Sequence, residues 1–146
     1  MHRVDFEKLV AEGFEQLPAW VREKIKNVAL LVEDEPSEDV RKKEGLGEHE
    51  ILLGYYQGIP LSARGEMYGV GMTMPDTIAL YQLPIEEAAE EEMSRLNLAT
   101  ADAVRKVVSE TIWHEFAHHF GMDENEVGER EQKRYPHDGA ISDSYY

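Results

Sequence analysis

Residues 100–120 have apolar side chains at helical spacing and carry two histidines four positions apart. On a helix these histidines, His114 and His118, lie one turn apart on one face, so both imidazoles can reach a single tetrahedral Zn²⁺. Glu115 completes an HExxH motif and projects to the same side, where it can take a proton from an attacking water. The pattern predicts a zinc-binding helix and favours a zinc-dependent hydrolase.

The order of side chains along this helix also predicts which of its faces are buried. One stripe contains Val104, Val107, Val108, Thr111 and Ile112, and the HExxH residues fall on or beside that stripe. The opposite side of the later turns holds Trp113, Phe116, Ala117 and Phe120. Because the end of the helix is apolar nearly all round, its last two turns are expected to be buried in the middle of the domain. Gly121 is suited to end the helix.

The two histidines and the glutamate also have a non-catalytic interpretation. His114 and His118 can be incidental members of a buried helix, although their rings then need hydrogen-bond partners nearby. Glu115 can be a surface acid, but the helical wheel puts it on the core stripe, where an unpaired carboxylate is costly. The zinc site with Glu115 as general base is therefore preferred.

A third zinc ligand is expected from the chain just after the helix. Glu124 is the predicted ligand, and Asp123 is the first alternative. Asp123 also suits the N-cap of a short final helix. Glu126 and Glu129 are further candidates.

The remaining histidines and the C-terminal tyrosines are given structural roles. His119 points about 100° away from His118, so we expect it to pack and not to bind the metal. His49 and His137 lie in polar segments and are expected to be exposed. A phenol near the reacting carbonyl is conceivable from Tyr135, Tyr145 or Tyr146, but a mobile tail over 136–146 is preferred.

Length and charge restrict the class of protein. The 146 residues are predicted to form a single domain, 1–146, with one core. A net charge of −15 argues against nucleic acid or an anionic membrane as a partner. We expect most other acids to form a solvated surface.

The absence of cysteine and of long apolar segments bears on the cellular compartment of the protein. The sequence contains no cysteine, which excludes disulfides and thiolate metal ligands. The N-terminal residues lack an apolar signal core, and no apolar run approaches the length needed to span a membrane. These features predict a cytoplasmic protein.

The other periodic segments predict an α+β fold. Helices are expected over 5–16, from Pro18 to Ile25, over 37–43 with Ser37 as N-cap, and over 86–96. Strands are expected over 27–33, 51–57 and 77–83, with a glycine-rich loop or irregular strand over 61–75.

Beyond these patterns, the sequence resembles the zincin-like metallopeptidases, specifically small bacterial "minimal" zincins. The segments that carry the resemblance are 114–123, 32–36, 53–61 and 76–81, and the likeness covers most of residues 5–130. It implies a single zincin-like domain whose small mixed sheet of three to four strands packs on a central HExxH helix. It also implies a Zn²⁺-dependent peptidase that acts on a peptide or small protein. In zincins the substrate peptide lies beside an edge strand above the metal. We expect residues 66–73 to form this edge and the wall of the peptide groove, with a plain flexible surface loop as the alternative.

Two other functions use the same residues. If the cleft is covered, the zinc is structural and the chain is a non-catalytic metal-binding or protein-interaction module. Alternatively, the metal chemistry serves an amide or ester of a non-peptide metabolite. A solvent-connected groove beside the metal favours an enzyme, whereas a fourth protein ligand favours the module.

Overall fold

A computed structural model describes residues 1–47, 50–58 and 75–120 of the chain. The described residues form five helices and three strands. The helices are α1 (Arg3–Glu15), α2 (Ala19–Lys24), α3 (Glu38–Lys43), α4 (Gln82–Leu96) and α5 (Thr100–His119). The strands are β1 (Ala29–Glu33), β2 (Gly54–Gln57) and β3 (Thr77–Tyr81).

The three strands form a small mixed sheet in the order β1-β3-β2. β1 runs parallel to β3, with Ala29 opposite Thr77, whereas β2 runs antiparallel to β3, with Gly54 opposite Leu80. The central strand β3 buries Ile78 and Leu80 completely. The predicted α+β fold with a small mixed sheet is therefore confirmed.

The HExxH helix α5 is the centre of this arrangement. Helices α1 and α4 pack along it, and β2 and β3 contact it from the sheet. Its fully buried apolar side chains join those of the other elements in one continuous core, which includes Phe6, Val21, Ile78, Leu80, Ile85, Val107, Val108, Ile112 and Trp113. Packing on several sides fixes the position of α5 and of the residues that it carries.

Three predicted boundaries are wrong. The prediction of a strand to 83 and a helix from 86 fails because α4 already begins at Gln82. Pro84 falls in the first turn of that helix, where a backbone N–H has no helical partner, so proline is tolerated there. Strand β2 begins at Gly54 and not at 51. By contrast, the predicted cap of α3 is confirmed, since Ser37 Oγ accepts a hydrogen bond from the Val40 N–H at 3.2 Å.

The burial of α5 also differs from the prediction. The most continuously buried stretch is 106–113, in the middle of the helix. The last turn is more open: His118, His119 and Phe120 are exposed, Phe120 by 48%. The expectation of a fully buried end is wrong because this turn borders a cleft.

The buried stretch of α5 contains an ion pair that the apolar pattern did not predict. Lys106 Nζ lies 3.5 Å from Glu110 Oε1, and the two residues are only 6% and 1% exposed. They are one turn apart, and Glu110 is one turn before His114. A charged pair thus lies inside the core directly before the HExxH motif.

None of the helices in the described ranges combines the length and apolar character that crossing a bilayer requires.

Candidate metal centre and its cleft

The two motif histidines face each other at the end of α5. Their ring centroids are 6.0 Å apart and their planes are inclined by 69°. His114 is half-buried and His118 is exposed, so the pair lies between the core and the solvent. Two imidazoles that share one tetrahedral Zn²⁺, each with a bond of about 2.0–2.1 Å, have centroids about 5 Å apart, so a small side-chain rotation brings these rings to that spacing. The spacing of these two rings therefore fits a shared zinc ion.

Within the described ranges, no third candidate ligand accompanies the two histidines. Within them no group of three or more His, Cys, Asp or Glu side chains is placed to hold a metal ion. The predicted ligand Glu124 lies outside the described residues, as do its alternatives Asp123, Glu126 and Glu129. The same applies to His49, His137 and the C-terminal tyrosines.

Glu115 points its carboxylate towards strand β2. The carboxylate accepts a hydrogen bond from the backbone N–H of Tyr56. The pKa of Glu115 is raised to about 7: burial is the largest cause, the negative charge of Glu44 adds to it, and the Tyr56 hydrogen bond opposes both effects. Without a cation beside it, Glu115 is therefore a carboxyl group that exchanges protons near neutral pH.

The close approach of β2 to α5 depends on Gly54. A Cβ at this position would lie 2.6 Å from Thr111 Cγ2 and 3.1 Å from the Ala79 carbonyl oxygen. No side chain fits there without movement of the strand or the helix, so glycine allows the two backbones to meet. This contact is one helical turn before Glu115, and it brings the Tyr56 N–H within reach of the carboxylate.

A contact between two aromatic rings also joins β2 and α5, one helical turn after Glu115. His119 stacks on Tyr56 with centroids 3.7 Å apart and planes inclined by 16°. The Tyr56 hydroxyl in turn donates a hydrogen bond of 2.9 Å to Asp76 Oδ2. His119 therefore packs against the sheet and helps to hold the last turn of α5 on β2.

A cleft of about 350 Å³ opens beside the histidines. Its walls come from β2 and the residues before it, from α5 and from the end of α3. The lining residues are Glu44, Leu52, Leu53, Gly54, Tyr55, Tyr56, Thr111, His114, Glu115, His118 and His119. The candidate ligands and the candidate base thus share one open cavity, with β2 as its described wall.

Sequence reasoning placed a different segment on this wall. Residues 66–73, which were predicted to form it, lie outside the described residues. Leu52, Tyr55 and Glu44 were not singled out from the sequence, because they reach the cleft through the fold and belong to no short motif. The position of Gly54 between an apolar and an aromatic pair is the one local signal for a close backbone contact there.

The chain matches a family model described as zincin-like metallopeptidase over residues 25–134. The match includes the HExxH motif, β2 and the predicted third ligand Glu124. No curated protein matches the sequence.

Proposed function

The chain belongs to the zincin-like metallopeptidase family, and from this premise we propose that it is a zinc-dependent peptidase that hydrolyses peptide bonds. One observation carries the proposal. Glu115, a carboxyl group with a pKa raised to about 7, lines the same open cleft as the paired rings of His114 and His118. Two ligands and a proton acceptor in one solvent-connected cavity are the parts that metal-assisted hydrolysis requires.

His114 and His118 would hold Zn²⁺, with Glu124 as the proposed third protein ligand. When bound, the ion supplies a Lewis acid that polarises the scissile carbonyl and makes water a stronger acid. The stack of His119 on Tyr56 holds the last turn of α5, which also carries His118, against the sheet.

Glu115 would act as the general base. It would accept the proton of the attacking water and then deliver that proton to the nitrogen of the leaving group, so the peptide C–N bond breaks with release of an amine and not of an amide anion. The Tyr56 N–H keeps the carboxylate pointed at the cleft throughout. A positive ion beside Glu115 lowers its pKa and favours the ionised form that accepts a proton.

A peptide fits the described wall of the cleft. Strand β2 lies at the edge of the described sheet and lines the cavity next to Glu115. An extended peptide can add main-chain hydrogen bonds along such an edge while its side chains enter neighbouring pockets. This supports a peptide or an extended protein segment as the substrate class.

The test of the proposed function is cleavage of a mixed peptide library by zinc-loaded protein, followed by mass spectrometry. We expect defined cleavage products that disappear after chelation and return when Zn²⁺ is added back. A metal-binding protein that cleaves no peptide under these conditions would instead support the non-catalytic module.

The third ligand has its own prediction. Glu124→Ala is expected to weaken zinc affinity strongly, because it removes a ligand from the metal. Asp123→Ala is expected to retain zinc and to lower the free energy of unfolding by about 1 kcal/mol, the usual cost of losing a helix cap. Zinc titrations with a competing chelator distinguish the two variants. Loss of zinc by Asp123→Ala but not by Glu124→Ala would reverse the assignment.

A further inference from the structure

Glu44 brings a second carboxylate to the cleft. It follows α3 directly, and its side chain lines the cavity that also contains His114, His118 and Glu115. In the described part of the chain its carboxylate makes no hydrogen bond and no ion pair. The charge of Glu44 is therefore available to a molecule that enters the cavity.

The field of Glu44 reaches the proposed reaction centre. Glu44 and Glu115 line one cavity of about 350 Å³ together with the two motif histidines, so the charge of Glu44 lies close to the proposed reaction centre. An anionic group beside Glu44 is repelled by its carboxylate, whereas a cationic group is attracted by it. The sign of the charge that a substrate carries near Glu44 therefore affects how strongly the substrate binds in the cleft.

The neighbouring lining residues suit a long cationic side chain. Leu52 and Tyr55 line the same cavity as Glu44 and are half-buried. The methylene groups of lysine or arginine can cover such apolar surface while the charged end remains hydrated. The face of the Tyr55 ring also attracts a cation.

We propose that Glu44 makes this cleft selective for substrates that carry a positive charge beside the scissile bond. The inference rests on the proposed peptidase function and adds a substrate class to it. The charge can belong to a lysine or arginine side chain or to the free N-terminal ammonium group of a short peptide. In both cases Glu44 is a specificity-determining residue and takes no part in the proton transfers.

The expected effect is moderate because Glu44 is exposed. An ion pair in contact with water is weak and is screened by salt, so we expect a preference of about two- to fivefold at low ionic strength. The overall charge of −15 attracts any cationic peptide. A control that removes one negative charge elsewhere is therefore needed, and Glu90 is suitable because it lies exposed on α4, away from the cleft.

The experiment uses peptides that share one cleavable sequence and differ beside the scissile bond in Lys, Arg, Met or Glu, each with a free or an acetylated N-terminus. kcat/KM is measured for zinc-loaded wild type, Glu44→Gln, Glu44→Lys and Glu90→Gln. We expect wild type and Glu90→Gln to prefer the cationic peptides, Glu44→Gln to lose most of that preference and Glu44→Lys to reverse it. Loss of the preference on acetylation alone identifies the N-terminal ammonium as the recognised group, and its persistence identifies the side chain.

A binding measurement separates this inference from the proposed function. Fluorescence anisotropy of the same peptides with zinc-loaded Glu115→Gln, with and without Glu44→Gln, reports selectivity without turnover. If cationic peptides are preferred to the same extent with and without the Glu44 carboxylate, Glu44 does not determine the selectivity. This result would leave the proposed peptidase function unaffected. A failure to cleave any peptide, together with charge-selective binding that depends on Glu44, would overturn the peptidase proposal and leave the selectivity intact.

Discussion

Glu115→Gln is expected to lower kcat by about 10²–10⁴-fold, the usual effect of removing a general base, while the bound zinc remains near one ion per chain. Glutamine has nearly the same shape, and its amide oxygen can still accept the hydrogen bond that the Tyr56 N–H gives to Glu115. It cannot accept the proton of the attacking water at neutral pH. The substitution therefore removes the proton transfer and leaves the cleft in place.

The measurement compares initial rates and zinc content of the same preparations, with Glu90→Gln as a control for the lost charge. The control is expected to keep wild-type turnover, because Glu90 is on the solvent side of α4. If Glu115→Gln loses its zinc, Glu115 is a ligand or a structural group. If it keeps both zinc and full turnover, the proton is transferred by another residue.

The second large effect concerns the buried ion pair in α5. Lys106→Met or Glu110→Leu alone is expected to lower the free energy of unfolding by about 3–5 kcal/mol, because each removes one member of a buried ion pair and leaves the other charge in the core. The double variant Lys106→Met with Glu110→Leu removes both charges and is expected to cost much less than the sum of the two single changes. Urea unfolding of the four proteins measures these differences.

An exposed pair provides the matched control. Lys26 Nζ and Glu23 Oε1 lie 3.0 Å apart in contact with solvent, and Lys26→Met is expected to change stability by less than about 1 kcal/mol. If Lys106→Met has an equally small effect, the Lys106–Glu110 pair does not carry a buried charge in solution. Such a result would contradict the described packing of α5.

The elements that follow from short-range chemistry were predicted well. Ser37 caps α3 as expected, and the two histidines of the HExxH motif face each other as the helical spacing requires. These features depend on residues three or four apart, whose relation the helix itself determines. The early start of α4 was not predicted, although Pro84 is compatible with the first turn of a helix.

Features that depend on distant segments could not be read from local patterns. The contact of Gly54 with Thr111 and the entry of Glu44 into the cleft join parts of the chain that are far apart in sequence. The buried Lys106–Glu110 pair was missed for another reason, since charged residues are normally assigned to the surface. The third ligand, Glu124 or Asp123, stays a prediction because it lies outside the described residues.

The central claim is that His114 and His118 bind one catalytic zinc ion, and zinc content tests it most directly. Protein purified without chelators or added metal is analysed by elemental mass spectrometry, together with His114→Ala, His118→Ala and the double variant. The account predicts close to one zinc per chain in the wild type and almost none in the variants, because two of the protein ligands share the metal. Full zinc in the double variant, or a wild type that binds no divalent metal when titrated with Zn²⁺, would contradict the account.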